Sequence, residues 1–443
     1  MHLKKNQVHQ GQVLDLNSKG AGVVKIDHYP VFIEGIIPGE TVEFKLTKVN
    51  KKYGFGRLLK ILVASPHRVE VKDPIGRQIG TMTLQHMDYA AQLEYKHSQV
   101  EQVFQRIGGF KDIEVRPVIG MDHPWEYRNK AQVPVREVKG QLETGFYRRG
   151  SHELVPVENF HIQYASIDQT LVTLRDILRK YQIQPYNEEN QSGLVRHIVV
   201  KQGHYTKQVM VVLVVNGTSL PNEEEVISEI VDQVPNLVSL VLNSNQRNTN
   251  VILGPDNRTL WGQDYYQDQM LGLDLMVSVH SFYQVNTPQA ERLYQEAIQA
   301  ADLQGEETVL DAYCGIGSIT LALARHAGDV YGMEVVPDAI EMARKNAELN
   351  QINNAHFTVG KAEEVLPKWQ EAGLKFDVAV VDPPRKGLDP DFVETLIQLD
   401  PPRIVYVSCN PATCARDCQL FARAGYQVQY VQPVDLFPQT VHV

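Results

Sequence analysis

From Thr308 onward, short apolar runs alternate with helical stretches. That alternation restricts the C-terminal part of the chain to a parallel sheet wrapped by helices. Residues 309–312 read as the first buried strand and 329–334 as the second; 357–359, 376–382 and 404–408 follow as the third to fifth. Residues 318–327 and 337–350 have helical spacing between them. A doubly wound sheet of this kind takes its ligand at the carboxyl ends of the strands.

The strand ends carry the chemistry. Tyr313, Cys314, Gly315, Ile316 and Gly317 follow the first strand as a two-glycine turn. A dinucleotide fingerprint needs a third glycine, and position 320 is Thr, which disfavours NAD. S-adenosylmethionine has no pyrophosphate, so a looser turn suffices. Glu334 ends the second strand 19 residues after Gly315, close to the ~20 expected of a ribose-binding acid. The fourth strand ends in Asp382-Pro383-Pro384-Arg385-Lys386-Gly387, where two prolines stop the strand and hold Asp382 over the crevice. Methylation of exocyclic amines would call for an aromatic residue where Arg385 stands. The fifth strand runs into Ser408-Cys409-Asn410-Pro411. Uracil C5 is too weak a nucleophile to take a methyl group unaided, and a thiolate adding at C6 turns the ring into an enolate. Cys409 is placed for that attack. Cys314 lies in the cofactor turn, and Cys414 and Cys418 fall on the following helix with no zinc-ligand spacing.

Composition excludes other classes. The chain has 443 residues, 43% hydrophobic and 22% charged, as expected of two to four globular domains. Its longest apolar run, Val209–Val215, has seven residues against the ~20 of a membrane helix. The first residues have charge but no apolar core, so no secretory signal is expected. Four cysteines, all after residue 313, are too few for a disulfide framework and point to a reducing cytoplasm. The net charge of −10 hides an asymmetry: residues 1–62 carry ten Lys/Arg against five Asp/Glu, and residues 301–443 eleven against twenty.

The basic end shows five short β-rich runs broken by turns, the pattern of a small barrel. Lys45, Lys48, Lys51, Lys52, Arg57 and Lys60 punctuate the last two runs, with Tyr53 and Phe55 among them. Cations that offset phosphates and aromatics that stack bases suit single-stranded RNA. A solvated edge strand guarded by lysines gives the same pattern. One helix is expected over 88–106, stopped by Gly108-Gly109. Residues 115–262 read as mixed α/β, and Arg128, Lys130, Arg148 and Arg149 could line one basic face of paired strands there. The domain boundaries expected are 1–64, 65–262 and 263–443.

The motifs DAYCGIG, DPPRKG, SCNPAT and DLFPQTVHV, with SFYQVN at 281–286, resemble the RNA 5-methyluridine (uracil-C5) methyltransferase family across nearly the whole chain. The basic barrel resembles its TRAM domain, an OB-like RNA-binding module, and the centre its RNA-recognition domain. The resemblance implies a Rossmann-like S-adenosylmethionine methyltransferase domain behind that barrel and a central α+β domain. Cys409 would be the nucleophile, and Gln284, Tyr313, Glu334 and Asp382 would match the cofactor positions, beside Gly315 and Gly317. The helix over 88–106 would pack on the catalytic domain. The substrate implied is 23S ribosomal RNA, because the family's tRNA members generally lack the barrel; tRNA, or a noncatalytic ribosome-assembly role, are the alternatives. Cytosine C5 is disfavoured, since such enzymes carry Pro-Cys where this chain has Asp-Pro-Pro. We expect a monomer with no membrane partner.

Two departures stand out. Many members hold a [4Fe–4S] cluster through four cysteines, and here Asp73, Ile79, Met82 and Phe160 occupy those places, so no cluster is expected. The family's closing motif ends in a Glu proposed to remove the C5 proton, and this sequence stops at Val443, one residue short of it. The expectation is a natural chain that continues into that Glu, with His442 the weaker candidate for the base.

Neutralising Lys45, Lys48, Lys51 and Lys52 together is expected to weaken RNA binding and flatten its salt dependence. Each lost phosphate contact changes the log–log slope by about 0.7 to 0.9. Filter binding across a salt series measures it, and S-adenosylmethionine binding stays unchanged.

Overall fold

The structure, a computed structural model, describes residues 3–443. Its first five strands, β1 (Val8–Leu16), β2 (Gly22–Ile26), β3 (Tyr29–Ile33), β4 (Thr41–Val49) and β5 (Gly54–Val63), close into a barrel in the order β1-β2-β3-β5-β4. Inward-facing apolar side chains give the barrel its core. In β4, Val42, Phe44 and Leu46 are buried in the barrel core, while Glu43 and Lys45 between them stay partly exposed. The β2–β3 turn is tight. Asp27 (φ 55°) and His28 alone make it, so Tyr29 already pairs with Ile26.

The chain divides into two compact units, residues 3–124 with Gln429–Val443, and Trp125–Val428. In the first, the barrel leads into α1 (Pro74–Ile79) and α2 (Tyr89–Val103), which ends in a π-turn at Phe104–Gly108. Glu40 follows Pro38-Gly39 just before β4. It is buried, and Arg68 donates to its carboxylate through Nε (2.5 Å) and Nη2 (2.8 Å). The C-terminal segment returns to α2. Lys96 Nζ meets Asp435 Oδ1 at 2.5 Å with both side chains fully buried, and Tyr89 donates its hydroxyl to the same carboxylate at 2.8 Å. Burial pulls the Lys96 ammonium below its ordinary pKa, and Asp435 opposes that shift. Gln92 and Gln439 bond side chain to side chain one turn away (2.9 Å).

The second unit holds a seven-stranded mixed sheet. It is built from β6 (Lys130–Val138), β7 (Gln141–Tyr147), β8 (Leu154–Pro156), β9 (Val195–Gln202), β10 (Val209–Val215), β11 (Leu237–Ser244) and β12 (Asp256–Gly262). Their order is β12-β11-β10-β9-β6-β7-β8. Helices α3 (Ala165–Lys180) and α4 (Glu223–Gln233) accompany it. The apolar run of β10 now has its reason. Val209, Val211, Leu213 and Val215 join the core beneath α3 and α4, while Met210, Val212 and Val214 join a second core on the other face. That second core takes in the hairpin β13 (Tyr265–Met270) and β14 (Leu273–Ser278) and α5 (Thr287–Ala301).

The last sheet is five parallel strands: β15 (Thr308–Ala312), β16 (Asp329–Glu334), β17 (Ala355–Val359), β18 (Val378–Val381) and β19 (Arg403–Tyr406). They run in the order β17-β16-β15-β18-β19, with α6 (Ser318–Ala324), α7 (Pro337–Leu349), α8 (Ala362–Glu371), α9 (Pro390–Leu399) and α10 (Pro411–Arg423) between and after them. The expected doubly wound sheet is present. Among the described residues no helix is long and apolar enough to cross a membrane.

Lys96→Met would strand Asp435 as a buried, uncompensated carboxylate. A loss of about 3–5 kcal/mol is expected in urea unfolding of the first unit, with partial recovery when Asp435 is also replaced by Leu.

Candidate active site

Strand order creates the site. β15 lies between β16 and β18, so the chain leaves it in opposite directions and a crevice opens beyond its carboxyl end. Tyr313, the first residue past β15, has φ 64°, and Gly315 (55°) and Gly317 (86°) continue the turn in left-handed conformations. At Gly317 an added Cβ would press on Phe357 and Ala343. At Gly315 it would meet nothing within 4 Å, so open space adjoins the turn backbone. Glu334, at the end of β16, accepts the amides of Val335 (2.7 Å) and Val336 (3.1 Å) on one carboxylate oxygen, leaving the other for a ligand hydroxyl. These features fit an adenosyl ligand laid across the turn.

Asp382 and Cys409 end the neighbouring strands. Val381 pairs with Tyr406, and the Val407 amide donates to the Val381 carbonyl at 2.8 Å. Beyond that point the two loops stay joined. Asn410 Nδ2 donates to the Arg385 carbonyl (3.1 Å), and the Thr413 hydroxyl donates to the same oxygen (3.3 Å). The Leu388 amide and the Tyr406 hydroxyl both donate to Asp417 on α10 (2.8 and 2.7 Å). Cys409 is the exposed cysteine. Cys314 is buried, and burial pushes its thiol pKa far up. Cys414 and Cys418 face each other at 4.0 Å on α10.

The crevice is acidic, and two of its groups, Asp311 and Tyr294, have no role assigned from the sequence. Burial pushes Asp311 up to about 7, with the charges of Asp382 and Glu334 adding to the shift and a hydrogen bond from the Thr320 hydroxyl (2.5 Å) opposing it. Burial alone pushes Asp382 up to about 7, although its side chain keeps part of its surface open. Tyr294 on α5 is buried beside them and hydrogen-bonded to the Gln284 side chain; burial, Asp382 and Asp311 raise its hydroxyl pKa. A cation beside these carboxyls would relieve their repulsion. Asp311 could have been suspected as a charged residue inside an apolar strand; Tyr294 had no such signal.

The basic candidates separate. On the barrel, Lys48 pairs across from Phe55, Lys45 from Arg57, and Lys51 and Lys52 sit exposed in the β4–β5 turn. Phe32, Tyr53 and Phe55 form an aromatic cluster beside them, with ring centroids 5.8, 6.0 and 5.7 Å apart. In the second unit, Arg148 and Arg149 are exposed after β7, and Arg148 is engaged by Glu153 at 3.0 Å. Arg128 and Lys130 are half-buried, and burial lowers both pKa values. The residues standing in the four cluster positions have other work. Asp73 caps α1 through the amides of Ile75 (3.0 Å) and Gly76 (2.9 Å), and Ile79, Met82 and Phe160 are buried.

A TRAM-type barrel and a Rossmann-like methyltransferase sheet define an RNA-modifying enzyme architecture. Comparison with known proteins agrees. The family model described as tRNA (Uracil-5-)-methyltransferase matches residues 88–443, and the TRAM domain model matches 10–59. An RNA methyltransferase of Enterococcus faecalis is 49% identical over 441 residues, covering 100% of this chain and 96% of its own. One of Lactiplantibacillus plantarum is 50% identical over 442 residues, covering 98% and 96%. The Pyrococcus abyssi tRNA (uracil-54, C5)-methyltransferase, solved with S-adenosyl-L-homocysteine, superposes with a TM-score of 0.78 at 28% identity, over 98% of this chain and 97% of that one. The chain belongs to the uracil-5 RNA methyltransferase family.

Asp311 and Asp382 hold their protons more tightly folded than unfolded. Their contribution to stability is full below the ordinary carboxyl value of 3.8 and is lost as pH rises from there through about 7. Asp382→Asn is therefore expected to gain more thermal stability over the ligand-free wild type at pH 8 than at pH 5, read by thermal melts.

Proposed function

We propose that the protein methylates uridine C5 in 23S ribosomal RNA with S-adenosylmethionine as methyl donor, through a covalent Cys409–C6 adduct. The observation that carries this reading is the placement of the exposed Cys409 thiol and the Asp382 carboxyl beyond the ends of two adjacent strands, whose loops are joined by the Asn410–Arg385 bond. S-adenosylmethionine supplies, when bound, an electrophilic methyl group on a sulfonium centre. Tyr313, Gly315, Gly317 and Glu334 would hold its nucleoside part, and Gln284 and Asp382 would orient the cofactor where it meets the reacting ring.

The target uridine leaves its stack and enters the crevice. The Cys409 thiolate adds to C6, and the electron pair moves onto C5 and the adjoining carbonyl. Asp382, whose proton is still available near neutral pH, can hold it at a ring oxygen as charge gathers there. After C5 gains its methyl group, a base removes the C5 proton and Cys409 departs, restoring the aromatic uracil.

The basic-aromatic barrel supports an rRNA substrate, since it adds a single-strand platform to the catalytic unit. A tRNA substrate is the second reading, favoured by the Pyrococcus abyssi likeness. Methyl transfer to undermethylated 23S rRNA and to unmodified tRNA in parallel separates the two. A purely structural RNA-binding role would show neither transfer nor cofactor binding.

An RNA carrying 5-fluorouridine at the target should become trapped on the protein, because fluorine cannot leave as a cation. Denaturing gels should show the adduct with the wild type and none with Cys409→Ala. An adduct that survives that substitution removes Cys409 as the nucleophile.

A further inference from the structure

Lys201 lies on β9 directly across from Lys130 on β6, a like-charge neighbour. It is buried, and the charge that acts on it is that of Lys130, with no carboxylate set against it among the described residues. Burial and Lys130 both push its pKa well down. A lysine in such surroundings needs a compensating interaction. It has one: Nζ donates to the carbonyls of Ser278 (2.9 Å), Val279 (2.8 Å) and Ser281 (3.4 Å). Three donors meet three acceptors on a single turn. Three carbonyl dipoles converging on one point would repel one another without a donor among them.

The turn is closed from within as well. The Ser278 amide donates to Ser281 Oγ (3.0 Å), and the two hydroxyls bond at 2.8 Å. The next residues include Phe282, 69% exposed, and Gln284. Beyond them the segment is tethered again. Asn129 Nδ2 donates to the Gln284 carbonyl (2.9 Å) and to Thr287 Oγ1 (3.0 Å), and the Asn129 amide donates to the Val285 carbonyl (2.8 Å). Residues 278–287 thus run from the end of β14 to α5 and are held by Lys201 at the turn, by the Tyr283 hydroxyl on Asp268 (3.0 Å) in the middle and by Asn129 at the far end. The Gln284 side chain leaves this segment to bond Tyr294 beside Asp311 and Asp382.

We propose that Lys201 is a positioning residue for the methyl-transfer site: its Nζ clamps the 278–281 turn and so fixes Gln284 at the cofactor end of the crevice. The inference rests on the uracil-C5 reading for its catalytic meaning. Lys201 touches neither substrate nor cofactor and acts through the turn. Removing it frees the 278–281 turn while Tyr283 and Asn129 keep the rest of the segment, so the damage is local loosening and a lowered affinity for the methyl donor. RNA affinity, which the barrel supports from the other unit, is left in place.

The test uses the full chain with Lys201→Met, Lys201→Arg and Ser281→Ala. Hydrogen exchange of the ligand-free protein should quicken in Lys201→Met over residues 278–287 and stay unchanged in β6, β9 and β10. Calorimetric affinity for S-adenosyl-L-homocysteine should fall, and KM for S-adenosylmethionine rise, on the order of tenfold, with RNA Kd unchanged. Lys201→Arg keeps a cationic donor and should recover part of the loss. Ser281→Ala, which opens the turn without removing a charge, should move the same readouts less far. Wild-type exchange and cofactor affinity in Lys201→Met overturn the proposal. So does exchange that quickens throughout β6, β9 and β10 with RNA and cofactor affinity falling together. If Lys201→Met does not fold, Ser281→Ala decides alone, and wild-type behaviour there overturns it. Failure of the wild type to form the Cys409 adduct would instead count against the uracil-C5 reading, while the exchange and calorimetry results would still decide the role of Lys201.

Discussion

The pairing of β15 with β18 is the constraint on which the catalytic unit depends. Two strands distant in sequence lie side by side in parallel, Ala312 opposite Val381, and each stops where its neighbour stops. Because β16 and β17 fill one side of β15 and β18 and β19 the other, the loops after β15 and β18 diverge. The candidate site residues are gathered at that divergence: the left-handed turn from Tyr313, the Asp382 loop, and Cys409 one strand further on. Backbone and side-chain hydrogen bonds then fix the loops to one another, so the thiol and the carboxyl are held by the sheet and by α10 together.

The parts of the fold that were legible obey simple burial rules. β15 and β18 lie inside the sheet between helical layers, so both their faces are buried and they stand out as short hydrophobic runs. The strand-end motifs were legible because glycine pairs and proline pairs have few other uses at such points. Other elements gave weaker signals. The N-cap of α3 is Tyr164, which makes no side-chain cap, so the usual Ser, Thr, Asp or Asn marker is absent. β12 is largely exposed and shows no alternation. The β13–β14 hairpin turns on Leu271 (φ 53°) and Gly272 (φ 69°), where Asn-Gly would have announced it. Leucine is tolerated there because Glu291 accepts its amide and Arg325 donates to the carbonyls of both turn residues.

The site was legible in its strand-end residues and not in its electrostatics. Asp311 and Asp382 are neighbours only because of strand order, and Tyr294 reaches them from a helix that precedes the sheet in the chain. Lys201 was invisible for the same reason. In sequence it is one lysine in a β-rich stretch; in space its three acceptors come from a turn some eighty residues later. Spacing reports what a segment does locally, and these groups act across segments.

The return of Gln429–Val443 to α2 sets an order of assembly. During synthesis the barrel and α2 emerge first, and domains tend to fold as they emerge. Yet the partner of Lys96 is Asp435, so α2 must wait with its buried lysine unpaired until the whole methyltransferase unit has been made. The first part of the protein to leave the ribosome is therefore the last to be finished, and a nascent chain exposes an incomplete RNA-binding unit for most of its time in translation.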